Sequence, residues 1–138
     1  FGIYPLGEGQ NIGNSEKRWR RLYCTNAPDV SSDRRVKRDI RDIQNEELIL
    51  HLKPREYRLK AEPNKIHYGF VAQEVNDALN ETGVENWAGY NDENPENLSL
   101  CYEEFIAPLV AVVQSQQRRI DDMEARLARL EQRLEAMT

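Results

Sequence analysis

The strongest pattern in the chain is a heptad repeat of apolar residues towards its C-terminus. From Ile106 onwards these residues recur at spacings of three and four, which places them along one stripe of a helix. The a positions are Ile106, Val113, Ile120, Leu127 and Leu134, and the d positions are Leu109, Gln116, Met123, Leu130 and Met137. A repeat of about four heptads predicts a coiled coil. The alternative is a long helix that folds back on its own domain.

Charged residues beside the apolar stripe favour a parallel arrangement of identical chains. Arg119 and Arg126 occupy g positions, and Glu124 and Glu131 occupy e positions. In a parallel coil, a g residue faces the e residue of the next heptad in the partner chain, which pairs Arg119 with Glu124 and Arg126 with Glu131. The same residues resemble the Arg-h-x-x-h-Glu pattern (h is apolar) of short parallel trimers. We therefore predict a parallel homotrimer.

The rest of the chain predicts a small α+β domain. Short alternating or apolar runs separated by Pro, Gly, Asn and Asp indicate short strands and helices. The predicted strands are 18–25, 56–60, 67–71 and 98–100, the predicted helices are 45–53 and 72–79, and the predicted turn and polar loop are 61–65 and 87–97. After Tyr102 we expect one helix of roughly 35 residues.

Composition narrows the function classes. The chain has 138 residues and a net charge of −5, which argues against a general nucleic-acid binder despite the basic run at 34–38. No apolar run reaches the length of about 18 residues needed for a membrane span. Phe1 stands where an initiator methionine is expected, which suggests a piece of a longer protein.

Cysteines and histidines do not predict a metal site or a cofactor. Cys24 and Cys101 match no zinc spacing, and His51 and His67 have no cysteine or carboxylate partner at such a spacing. We expect the two cysteines to be reduced thiols in a cytosolic setting.

A hydroxyl and a lysine lie close together in the stretch 31–37, which reads SSDRRVK. A lysine activates a serine only if its amine is held neutral by burial or by nearby positive charge. Side chains five residues apart lie roughly 140° apart on a helix and point to opposite faces of a strand. Ser32 and Lys37 can therefore meet only through an irregular turn, or in an assembly. Without further information, Ser32 also suits a helix N-cap, and Lys37 a solvated surface.

Several motifs in order resemble one family. They are Ser32-Asp33-x-Arg35-x-Lys37, then Tyr57, then Gly69-Phe70-x-Ala72-Gln73-Glu74, then Tyr102 before a long helix. Together they resemble the C-terminal intramolecular chaperone of phage endosialidases, tail spikes and tail fibres, a self-cleaving peptidase. A related module lies in a membrane-bound animal transcription factor. The preceding stretch 11–23 is similar to the end of many tail-fibre stalks.

The resemblance implies a trimeric chaperone that folds the preceding stalk and then releases itself by a single cut. It implies that Ser32 is the nucleophile, that Lys37 is its general base, and that the scissile bond is Ser31–Ser32. Asp33 and Arg35 match the motif as supporting residues: Asp33 can cap a turn or orient Lys37, and Arg35 can hold Lys37 neutral or stabilise an oxyanion. Gln73 can donate a hydrogen bond to the oxyanion. We interpret Gly69 as a residue required by its backbone conformation.

The resemblance also implies an organisation and a setting. Residues 1–31 would end the stalk, residues 32–105 would form the chaperone, and residues 106–138 would form the trimerisation helix. The partners would be two further copies of the chain and its own stalk, in a virion tail precursor assembled in the bacterial cytoplasm. The alternatives are a structural fibre tip that is never cut, and the self-cleaving module of a transcription factor. Whether Lys37 acts on its own chain or on a neighbour stays open.

Overall fold

The computed structural model describes residues 4–7 and 9–138. Short elements precede one long helix: α1 (Glu47–His51), β1 (Arg55–Leu59), β2 (Glu62–Gly69), α2 (Ala72–Thr82), β3 (Tyr90–Asn91), β4 (Ser99–Leu100) and α3 (Ile106–Ala136). Two 3₁₀ turns, at Arg34–Val36 and Tyr102–Phe105, complete the described elements. The predicted small α+β domain with a long C-terminal helix is confirmed.

β1 and β2 form an antiparallel hairpin in which Tyr57 lies opposite His67. The predicted turn over 61–65 is wrong, because the chain reverses at residues 60–61 and β2 already begins at Glu62. Pro63 therefore lies inside a strand. A strand in a two-stranded sheet has an open edge, where the missing N–H of a proline is tolerated.

The hydrophobic core lies between α1, α2 and the 3₁₀ turn that directly precedes α3. Leu48, Val75, Ala78, Leu79 and Phe105 are buried together. The predicted helix over 72–79 is confirmed and continues to Thr82, because the next residue, a glycine, takes the left-handed conformation that commonly ends helices. This core positions the end of β2 and the start of α2, where the motif Gly69–Glu74 lies.

The predicted polar loop over 87–97 contains one short strand. β3 pairs antiparallel with β4, so Tyr90 lies opposite Leu100. Trp87 packs edge-on against Phe105, with ring centroids 4.8 Å apart. The loop is therefore fixed at both ends to the domain core.

α3 has 31 residues and a length of about 46 Å at 1.5 Å per residue. At its start, Val112 is buried and Phe105 lies in the core, whereas every residue from 116 to 138 is exposed. Leu127 and Leu130 are 57% and 55% exposed, and the other apolar heptad residues are exposed as well. A single chain thus presents the whole predicted coiled-coil stripe to solvent, while the trimer stays a prediction.

The predicted strand over 18–25 is wrong for the described chain, in which residues 9–46 contain no strand. Trp19, Leu22 and Tyr23 are all exposed. An alternating segment forms a strand only beside a partner strand, and the described part of the single chain places none next to these residues.

Candidate functional site

A single 3₁₀ turn brings the predicted nucleophile and base together. The Nζ atom of Lys37 donates a hydrogen bond of 2.6 Å to the Oγ atom of Ser32. Asp33 caps the turn by accepting a bond of 2.8 Å from the Arg35 amide. The Lys37 amide donates to the Arg34 carbonyl at 3.1 Å and ends the turn.

Backbone conformation explains how two side chains five residues apart can meet. Asp33 and Lys37 are extended, with ψ angles of 137° and 148°, and only residues 34–36 are helical. The chain therefore enters and leaves a tight reversal in extended form, which allows Ser32 and Lys37 to face each other across it. This is the irregular turn that regular helix or strand geometry could not supply.

Asp33 and Arg35 bind each other. The Arg35 Nε and Nη2 atoms lie 3.0 and 2.7 Å from the two carboxylate oxygens of Asp33, a bidentate arrangement. The hydrogen bonds from Arg35 lower the pKa of Asp33 below its ordinary value, and the carboxylate in turn raises the pKa of Arg35. In the single chain, Arg35 therefore neutralises Asp33, and the pair braces the turn.

The Ser32–Lys37 pair is open to solvent. Every residue from 16 to 44 is exposed, including both members of the pair. A lysine base must be neutral, and burial favours the neutral form, so the predicted chemistry would need a cover that the described residues of a single chain do not provide. The turn thus brings the two side chains into contact and leaves both exposed, while their roles as nucleophile and base stay predictions.

Gln73 is not hydrogen-bonded to the Ser32–Lys37 turn in the described structure. It is in the first turn of α2, is exposed, and lines a cleft of about 310 Å³ with residues 96–100, Phe70 and Tyr102. Within the described part of the chain, no hydrogen bond joins Gln73 to Ser32 or Lys37. Its oxyanion role stays a prediction.

Gly69 is required by a close approach of two tyrosines. The Tyr102 hydroxyl accepts a hydrogen bond of 3.0 Å from the Phe70 amide, directly beside Gly69. A Cβ atom on Gly69 would collide with that hydroxyl and lie 3.3 Å from the Tyr57 hydroxyl. The pKa of Tyr57 is raised, mainly by burial and to a smaller extent by the nearby Tyr102. The expectation of a special backbone conformation at Gly69 is wrong, since its φ is not positive.

We predict that Gly69→Ala lowers the free energy of unfolding by about 1–3 kcal/mol, the usual cost of overpacking. Urea unfolding followed by circular dichroism measures this loss. Gly7→Ala is the matched control, because nothing lies within 4 Å of an added Cβ there. Tyr102→Phe should lower the free energy of unfolding less in the Gly69→Ala chain than in the natural chain, because it removes the hydroxyl with which the new Cβ collides. Equal costs in both backgrounds would contradict the proposed clash.

Three ion pairs give roles to Arg55 and Glu62, which sequence reasoning did not single out. Arg55 binds the motif residue Glu74 through two hydrogen bonds of 2.9 and 2.5 Å, which joins β1 to α2. At the other end of the hairpin, Glu62 accepts from Arg21 at 2.7 Å and from Arg20 at 3.3 Å. The partners are about 20 to 40 residues apart in sequence, so no local pattern marks them.

Comparison with known proteins finds one family model similar to the part of the chain that contains the turn and the Gly69–Glu74 motif. Residues 32–84 match the model of a peptidase family described as the chaperone of endosialidase. The match begins at Ser32 and includes Lys37, Gly69, Gln73 and Glu74. No curated protein matches the chain. Among the described helices, none combines the length and the apolar character needed to cross a bilayer.

Proposed function

Since residues 32–84 match the family model described as the chaperone of endosialidase, we propose that this chain trimerises, helps the preceding stalk to fold, and then releases itself by cutting its own Ser31–Ser32 bond. One observation carries the cut: the 2.6 Å contact between Lys37 Nζ and Ser32 Oγ. This distance lies within the range over which a general base takes a proton from a hydroxyl.

The proposed reaction is an acyl shift followed by hydrolysis. Lys37, as a neutral amine, takes the proton of the Ser32 hydroxyl, and Oγ attacks the carbonyl carbon of Ser31. The bond from that carbon to the Ser32 nitrogen breaks, and Lys37 returns the proton to the nitrogen. Water then hydrolyses the resulting ester, leaving a carboxylate on Ser31 and a free amine and hydroxyl on Ser32.

The geometry supplies most of the advantage in this scheme. Attacker and target belong to adjacent residues, and well-oriented intramolecular reactions reach effective molarities of about 10⁵–10⁸ M. The turn holds the base beside the attacker, since Asp33 caps it and Arg35 braces Asp33. One cut per chain needs no open substrate pocket.

Trimer formation explains when the cut would occur. The dyad is exposed in a single chain, and the apolar stripe of α3 is exposed as well. Burying that stripe between parallel copies would bring three domains together and allow neighbouring chains to cover the Ser32–Lys37 turn. Assembly would thereby favour the neutral amine, which couples the cut to a completed trimer. In this proposal Gln73 of the same or a neighbouring chain stabilises the oxyanion.

The proposed partners are two further copies of this chain and the stalk that precedes it. The family description supports a chaperone role, and the α3 stripe supports self-association. We place the protein in a phage tail precursor that assembles in the bacterial cytoplasm.

Intact mass spectrometry of a freshly expressed chain, extended upstream of Phe1, tests this function. We expect two products, one ending at Ser31 and one beginning at Ser32. An uncut chain that is a stable trimer would contradict self-cleavage and favour a structural fibre tip. Products that begin elsewhere would contradict the assignment of Ser32.

A further inference from the structure

The segment upstream of the proposed cut is held against the domain downstream of it. Beyond the two arginines on Glu62, Arg18 donates a bond of 2.8 Å to the Asn97 carbonyl. Asn94 donates to the Ser15 carbonyl at 3.5 Å. All of these upstream residues precede Ser31, and all of their partners follow Ser32. The contacts therefore join the two pieces that the cut would create.

An open cleft lies beside these polar contacts. Trp19 and Leu22 line a cleft together with Asn91 and Ser99, residues of β3 and β4. Residues 91–99 thus form a surface that contacts the segment 15–22 through the Arg18–Asn97 and Asn94–Ser15 hydrogen bonds and this cleft. In the chain, residues 24–44 follow the contacting segment 15–22 and precede α1. They form an exposed connection that contains the Ser32–Lys37 turn.

Glu62 is the centre of the polar contacts. Its side chain is 16% exposed, whereas those of Arg20 and Arg21 are 80% and 44% exposed. Lys65 and His67 lie 4.0 and 3.9 Å from its second oxygen. Hydrogen bonds from Arg21 lower the pKa of Glu62 despite partial burial, so the carboxylate is ionised at neutral pH.

We propose that Glu62 and the 91–99 surface form a latch that keeps the cleaved stalk and the chaperone domain together after the peptide bond is broken. This inference rests on the proposed cut, and it adds a second step, because release would require the latch to open. The ligand of the latch is a basic segment of the chain's own stalk, marked by Arg18, Arg20 and Arg21. The cut alone would therefore not separate the pieces.

The test makes the cut independently of the dyad. In a Ser32→Ala chain with an upstream extension, a recognition sequence for a specific protease is inserted between Val30 and Ser31, where the chain is exposed. The extension carries an affinity tag and is immobilised. After protease treatment, the C-terminal piece that appears in solution is measured over time. Failure of self-cleavage is read separately, from the mass of the extended natural chain.

In the chain that carries only Ser32→Ala, we expect the C-terminal piece to stay bound after protease treatment. Adding Glu62→Lys should make the C-terminal piece dissociate about tenfold faster, since breaking a bonded charge pair acts mainly on the dissociation rate. Arg21→Glu should act similarly, and combining the two substitutions should slow release again. Glu56→Lys on β1 is the matched control, because this residue is exposed in the same hairpin. Higher salt should speed release of the unsubstituted piece.

Two results would overturn the latch. One is immediate release of the unsubstituted piece on cutting, which would show that the contacts do not hold the products. The other is equal release rates for the Glu62→Lys and Glu56→Lys chains, which would remove Glu62 from the interaction.

Discussion

Replacing Lys37 with arginine is expected to slow cleavage of the Ser31–Ser32 bond as strongly as replacing it with alanine. Arginine keeps the positive charge and can still donate to the Ser32 hydroxyl, but its guanidinium is not deprotonated in proteins and cannot accept the serine proton. Losing a general base costs about 10²–10⁴-fold in rate. We therefore expect Lys37→Arg and Lys37→Ala to be equally slow, and Ser32→Ala to be uncut.

The rates are measured by intact mass spectrometry of extended chains at timed intervals after synthesis. Lys60→Arg, in the turn between β1 and β2, is the matched control and should cut at the natural rate. Ser115→Ala on α3 serves the same purpose for the serine substitution. A Lys37→Arg chain that cuts normally would mean that the 2.6 Å contact positions Ser32 and that another group takes its proton.

Replacing both Leu127 and Leu130 with glutamine is expected to abolish the trimer. These residues are an a and a d position, and both are more than half exposed in the single chain. Truncating a buried leucine costs about 2–5 kcal/mol, and a trimer would lose six such side chains at once. Sedimentation equilibrium at micromolar concentration should show a monomer in place of a trimer.

The same substitutions should slow the cut if neighbouring chains cover the dyad. The control places glutamine at Ala125 and Ala128, which lie at f and b positions outside the stripe. That chain should remain trimeric and cut at the natural rate. A monomeric Leu127→Gln/Leu130→Gln chain that cuts normally would remove the coupling between assembly and cleavage. A trimer that survives both substitutions would contradict the coiled coil.

Local patterns allowed the sequence to predict much of the architecture. The helix that begins at Ala72 and the long α3 follow from apolar periodicity, which reflects side-chain directions along one element and needs no distant partner. The predicted strand over 18–25 failed for the complementary reason, since alternation says nothing about whether a neighbouring strand exists. The turn over 61–65 was predicted from Pro63. That residue lies in β2 instead, since an open strand edge tolerates proline and the sequence does not reveal such an edge.

The same distinction applies to the candidate site. The order of motifs pointed to Ser32 and Lys37, but their spacing alone argued against contact, and only the 3₁₀ turn at residues 34–36 brings them within 2.6 Å. Tertiary packing explains Gly69, because Tyr102, more than 30 residues later in the chain, places its hydroxyl where a Cβ atom would lie. It also brings Arg20 and Arg21 to Glu62. Periodicity and motif order are properties of neighbouring residues, whereas the contacts of Gly69 and Glu62 join segments that are remote in the chain and arise only when the chain folds.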